Sequence, residues 1–269
     1  MRTLTLDEKN YAVPGGWNEL TGEQLVFLAM ILDGKSTAQE VKLKLLLFVL
    51  GARIRRYGRA KGEAFAVSAG RDTYYLSPGQ FAALASVFDF LFTEDENGQV
   101  QPDIRLTRNP WPLYVSKSMV LAGPDDALTN IGYGQFIMLQ SWQQQMKHDY
   151  ATALDNFLSV IWKDGTFTTS EDGAAVWFRD VDPNVKTVMF WYFIGSMRFI
   201  RDKFPRVFPG GESDGNDGDI FDIQQRIVDE MASGDVTKKE QVKQCLLYDA
   251  LYTLEMAIER DEKAKQNRQ

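Results

Sequence analysis

The only imidazole in the 269 residues is His148, and Asp149 follows it, a pairing that could orient a general base. A base needs a nucleophile to serve. The chain has no serine elbow, no His-x-x-x-His pair and no cysteine beside His148, so the common triads and zinc sites cannot be assembled, and His148 reads as a helix-end residue. Glu19 and Glu23 could supply the two carboxylates of glycoside hydrolysis, yet acids at a helix N-terminus are favoured by the helix dipole without any catalysis. Oxygen ligands are dense over residues 212–222, but no register there puts acids or amides at loop positions one, three and five with Gly at six and Glu at twelve, and a solvated loop is expected. Gly132-Tyr133-Gly134 lacks a third glycine and a Walker-type lysine. The chemistry these residues predict is therefore none: no catalytic group, no cofactor and no metal.

One positive cluster stands out, Arg53-Ile54-Arg55-Arg56-Tyr57-Gly58-Arg59-Ala60-Lys61, and it could meet phosphate or nucleic acid. Only Tyr57 is available for base stacking, and cations at the end of a helix also complement its dipole, which is the plainer reading. The whole chain carries 30 Lys plus Arg against 37 Asp plus Glu, a net charge of −7, which argues against attraction to nucleic acid or an anionic membrane. Cys245 is the single cysteine, so no intrachain disulfide forms, as suits a reducing cytoplasm. Charges interrupt the first nine residues, so no signal peptide is expected. The apolar run 187–197 is well short of the roughly 20 residues that span a bilayer and reads as a buried helix.

The elements that would position these groups are mostly helices. Hydrophobic content of 44% with 25% charged residues suits a folded globular chain. Trp17-Asn18-Glu19-Leu20-Thr21-Gly22-Glu23-Gln24 ends in a helix-opening device: Thr21 and Gln24 have capping-box spacing, and Leu20 is placed to staple onto the helix. Leu76-Ser77-Pro78-Gly79-Gln80 repeats the device, and Leu128-Thr129-Asn130-Ile131-Gly132-Tyr133-Gly134-Gln135 repeats it with three residues inserted. A hairpin is expected from Leu4 and Leu6 with Tyr11 and Val13, a first helix over 21–32, and a second from Ser36 or Thr37 to about Arg56. A hairpin around Ala69-Gly70-Arg71 precedes a third helix that runs from Pro78 to about Phe92. Asn97-Gly98 suits a tight turn and marks a lobe boundary.

Beyond it the opening order recurs loosely: Ile104-Arg105-Leu106-Thr107, then Asn109-Pro110-Trp111-Pro112, then Leu113-Tyr114-Val115 and the third copy of the device, as an internal duplication would produce. Helices are expected over about 130–148, 150–163, 183–203 and 220–232, with Asp182-Pro183 opening the third and Thr237 capping a further one. A flexible acidic loop covers 209–219. The last helix carries Val242, Leu246, Leu247, Leu251, Leu254 and Ile258 before a charged tail from 259. The fold class expected is mainly α, two packed helical lobes with small β hairpins, residues 1–98 and 99–269.

Tyr11-Ala12-Val13-Pro14, Trp17-Asn18-Glu19-Leu20-Thr21, the 128–139 segment and Leu154-Asp155-Asn156-Phe157-Leu158-Ser159-Val160-Ile161-Trp162 together resemble a family of uncharacterised proteins carried by phages and prophages of Bacteroides-type bacteria. The resemblance covers roughly the first 165 residues. It implies a non-enzymatic structural or tail-assembly role among phage proteins, in the host cytoplasm or with the virion, through protein partners rather than nucleic acid or membrane. It brings no catalytic residues with it. The surfaces expected to meet a partner are Arg53, Arg55, Arg56, Arg59 and Lys61, and the face of the last helix formed by Tyr248, Leu251, Tyr252 and Glu255. Two other readings are open: a carboxylate hydrolase of cell-wall or glycan polymers, and a DNA-associated protein that uses residues 53–61.

Overall fold

The computed structural model describes residues 1–32, 34–58, 64–116, 119–163, 178–209 and 220–267, with backbone alone at 56–58, 116, 119, 220 and 221. Residues 210–219 of the expected acidic loop lie outside them. The chain is mostly helical with several small antiparallel sheets, the class its composition and caps predict. It divides into two compact units, Met1–Leu106 and Thr107–Gln269.

In the first unit, strands β1 (Arg2–Leu6) and β2 (Lys9–Val13) pair antiparallel through a turn whose Asp7 and Glu8 both adopt left-handed backbone, φ 43° and 68°. A 3-10 turn, Trp17–Glu19, leads into α1 (Gly22–Ile31), and α2 (Ala38–Val49) follows. Both caps are complete boxes. Thr21 Oγ1 accepts from Gln24 N–H at 3.2 Å while the Gln24 amide oxygen accepts from Thr21 N–H at 3.0 Å. Thr37, not Ser36, opens α2, its N–H donating to Glu40 at 2.8 Å. Ser77 repeats the arrangement with Gln80 at the start of α3 (Pro78–Ala85). Each box satisfies two backbone donors that a helix start would otherwise leave orphaned.

Two helix ends differ from expectation. The second helix stops at Val49 because Gly51 takes φ +57°, and the arginine-rich run becomes β3 (Ala52–Gly58), the outer strand of a three-stranded sheet with β4 (Ala64–Ala69) and β5 (Asp72–Leu76). Arg53, Arg55 and Arg56 therefore sit on a strand, and the helix-dipole account fails for these three. The third helix ends at Ala85 and tightens into 3-10 winding over Ser86–Leu91 before β6 (Phe92–Glu94) and β7 (Val100–Pro102). This last hairpin spans the junction placed at 98, and Asp103 N–H donates to the Leu91 carbonyl at 2.8 Å, so the polypeptide stays with the first unit to Leu106. Leu6, Ala52, Val67, Ala69 and Tyr74 form a buried cluster between the first hairpin and the three-stranded sheet.

The second unit restates the order of the first: the hairpin β8 (Leu113–Ser116) and β9 (Met119–Ala122), a 3-10 turn Asp126–Leu128, then α4 (Tyr133–Gln145) and α5 (Tyr150–Ile161). The register of the repeat differs from expectation, because Ile104–Thr107 forms no strand and Leu113–Ser116 pairs forward with Met119–Ala122. Pro110 and Pro112 lack donors, and the stretch between is organised by a side chain instead: Asn109, 3% exposed, donates through Nδ2 to the Pro124 carbonyl at 2.6 Å and accepts from Trp111 N–H at 2.9 Å. At α4 the device keeps only half its chemistry. Gly132 stands where Thr or Ser stood, and only the Gln135 amide oxygen reaches back, to Gly132 N–H at 2.9 Å. A side chain on Gly134 would press the Lys243 carbonyl at 3.2 Å.

That crowding comes from the polypeptide ahead of the last helix, where Tyr133 N–H donates to the Cys245 carbonyl and Leu247 N–H to the Ile131 carbonyl, each at 2.9 Å. Among the described residues the remaining α-helices are α6 (Pro183–Lys203), capped by Asp182 as expected, α7 (Ile220–Met231), α8 (Val236–Gln244) and α9 (Leu247–Gln266). Asp235 rather than Thr237 caps α8, its carboxylate accepting from Thr237 N–H at 3.0 Å. Along α5 and α6, Phe157 meets Phe193 and Phe190 edge-on at 4.7 and 5.5 Å. Beside them Lys186 Nζ and Asp155 Oδ1 pair at 2.7 Å with each side chain 13% exposed. Ala127 and Leu128 are left-handed, φ 54° and 61°, and Tyr192 from α6 holds them by donating to the Asp125 carbonyl and accepting from Leu128 N–H at 3.0 Å.

Candidate protein-contact surface

The β8–β9 hairpin has two unlike faces. Tyr114 and Leu121 are opposite each other on one, where Leu121 is fully buried and Tyr114 packs edge-on against Trp111. Leu113, Val115, Val120 and Ala122 share the other, and Leu113, Val115 and Val120 are 58%, 64% and 52% exposed. Strand alternation makes this arrangement, since directly paired residues point to one face. Single exposed apolar side chains are ordinary, but three adjacent ones on a strand face form a patch that association would remove from water.

Lys163 borders the patch. Its backbone pairs both ways with Ala122, Ala122 N–H donating at 2.6 Å and Lys163 N–H donating back at 2.9 Å. Burial pushes its amine down from the ordinary lysine value to about 8. A base whose folded pKa is depressed costs stability while it must stay charged, so that cost is full below pH 8 and is relieved as pH rises toward the unfolded value near 10.5. Urea midpoints are therefore expected to rise between pH 8 and 10, and Lys163→Met is expected to flatten that rise. Above pH 10 the sign reverses. Burial raises the phenols of Tyr133 and Tyr192, so the unfolded chain ionises first and stability falls.

The surfaces expected from sequence fare differently. Arg53 and Arg55 are exposed on β3, Arg55 donating to Ser68 Oγ at 3.1 Å; the Arg56 side chain and all of Arg59 and Lys61 lie outside the described residues. On α9 the four chosen residues do not make one exposed face. Leu251 is buried, Tyr248 donates its hydroxyl to the Ala127 carbonyl at 2.8 Å, and Glu255 accepts from Arg206 and Val207 N–H at 3.1 and 3.0 Å. Only Tyr252, 62% exposed, is open to a partner. The rest of this α9 surface is used inside the unit.

Two of the groups with possible chemistry, Asp149 and Glu19, are engaged structurally. Asp149 caps α5 by accepting from Thr152 N–H at 3.2 Å, and His148 is exposed in the turn before it. Glu19 pairs with the amino terminus and accepts from Gly15 N–H at 2.6 Å, which pulls its carboxyl below the usual range, the opposite direction from a general acid. It lines a shallow hollow with Asp103, which is ion-paired to Arg105 at 2.7 Å. A second hollow, about 460 Å³, lies at the start of α4 between Ile137, Met138, Lys243 and Leu246. The amide of Gln135 there is already used on Gly132 and on the Val160 carbonyl. Among the described residues, no group of three or more His, Cys, Asp or Glu could hold a metal ion, and no helix is long and apolar enough to cross a membrane.

Comparison with family models, curated proteins and solved structures finds no match to this chain. The hairpin patch is hidden in sequence when Leu113-Tyr114-Val115 is paired back to Ile104–Thr107 and not forward to Met119–Ala122. The run Met119-Val120-Leu121 was the available signal.

Proposed function

We propose that this chain is a non-enzymatic structural or assembly protein that acts through protein contacts, in the phage setting its resemblance implies. The observation that carries the reading is the exposed apolar face of Leu113, Val115 and Val120. Removing such a face from water is worth about 25 cal/mol per Å², which favours a protein partner. Partners are other structural or assembly proteins; the site of action is the host cytoplasm or the virion.

The test is capture by purified products of neighbouring phage structural genes, with wild type against L113D/V115D. The doubly charged variant is expected to lose at least tenfold in affinity while its thermal midpoint is kept. Release of reducing ends from cell-wall glycan by the pure protein would replace this reading with the hydrolase. Steeply salt-dependent DNA binding, lost in R55A/R56A, would replace it with the DNA-associated one.

A further inference from the structure

We infer that the outer edge of β8 pairs antiparallel with β8 of a second copy of this chain. The inference deepens the assembly reading and rests on it. The hydrogen-bond phase of the hairpin is fixed by two observations. Ala122 spends both its N–H and its carbonyl on Lys163, so they point away from β8, and Leu113 opposite it is a non-hydrogen-bonded position. Gly123 N–H donates to the Pro112 carbonyl at 2.9 Å, the bonded position one step earlier. Alternation then makes Tyr114 and Leu121 a bonded pair and Val115 and Val120 a non-bonded one. The N–H and carbonyl groups of Leu113 and Val115 therefore point outward from β8, where the described residues supply no neighbouring strand.

This edge is complementary to itself. Turned about Tyr114, Leu113 of one copy falls opposite Val115 of the other, and both residues of each pair carry outward N–H and carbonyl groups. Four main-chain hydrogen bonds close, and each Leu113 side chain meets a Val115 across strands. Exposed edges are ordinarily guarded by charge, as β3 is by Arg53 and Arg55. β8 carries no charge at its outward positions. A second copy is the occupant because the same two residues supply both halves of the bonding pattern. Two paired strands remove far less than the roughly 1,200–2,000 Å² of stable complexes, so the pairing is weak and reversible.

The experiment is sedimentation of the full chain between about 1 µM and 1 mM, the range in which so small an interface saturates. The weight-average mass is expected to climb from 30.6 kDa toward twice that. V115P removes one outward N–H that the hairpin itself does not use, and proline is tolerated at such edge positions. It is expected to weaken association at least tenfold with its far-UV circular dichroism unchanged. V115K, which keeps the N–H and adds charge, is expected to do the same. A mass of 30.6 kDa at every concentration, or association unaffected by both variants, overturns the inference. Retained capture of another phage protein in that event would leave the assembly reading standing.

Discussion

Gly123→Ala is expected to destabilise the second unit by about 3 kcal/mol, at the upper end of overpacking costs, and to lower the thermal midpoint by about 5–10 °C. A β-carbon there would overlap Trp162 Nε1 and fall 2.8 Å from both Asn109 Nδ2 and the Trp111 carbonyl oxygen. None of the three can yield cheaply. The Trp162 indole is 1% exposed and donates to that carbonyl at 3.2 Å, and Asn109 is committed to Pro124 and Trp111. Moving any one leaves a buried polar group unpaired, itself a cost of about 1–3 kcal/mol. Differential scanning calorimetry checks the shift. A midpoint within 2 °C, on the order of half a kcal/mol, would mean the backbone relaxes around the added methyl.

The second large effect is at the Lys186–Asp155 pair. With both side chains 13% exposed and 2.7 Å apart, removing one partner strands the other in a poorly solvated place. Asp155→Ala is expected to cost about 3 kcal/mol, whereas D155L/K186M is expected to recover most of that loss, because replacing both charges leaves none uncompensated. Urea denaturation of the wild type, the two single variants and the double variant checks this. Equal losses in the single and double variants would show that the packing of α5 on α6, and not the charges, carries the effect.

The parts of this fold legible in sequence are those whose cause is local. Thr21 with Gln24, Thr37 with Glu40 and Ser77 with Gln80 bond within one turn, so spacing alone announces them. Asp182 before Pro183 is the same kind of signal. The run after Gly51 was not legible, because Arg53-Ile54-Arg55-Arg56 has no clean alternation and becomes a strand only through its pairing with Ala64–Ala69. Only Tyr252 of the expected α9 face is exposed, for a related reason. Tyr248, Leu251, Tyr252 and Glu255 share a helical face by spacing, but Leu247 and Leu251 draw that face inward, and Glu255 is taken by backbone N–H groups distant in sequence. Periodicity tells which residues neighbour one another on a helix, not which side faces the core when apolar stripes adjoin.

The sheets described above differ from the bridges in how far apart their partners lie along the chain. Every named strand pairs only with a strand adjacent to it in sequence, so each pairing closes a short loop at little entropic cost. The bridge of Gly132 to Leu246, by contrast, joins the start of α4 to the residue ahead of α9. During synthesis from the N-terminus, the strand pairs within Met1–Leu106 can all form once Leu106 leaves the ribosome. The second unit must wait for Leu246, holding the start of α4 without its bridged neighbour for most of its translation. That interval, rather than the finished molecule, is when a chaperone would matter most to this chain.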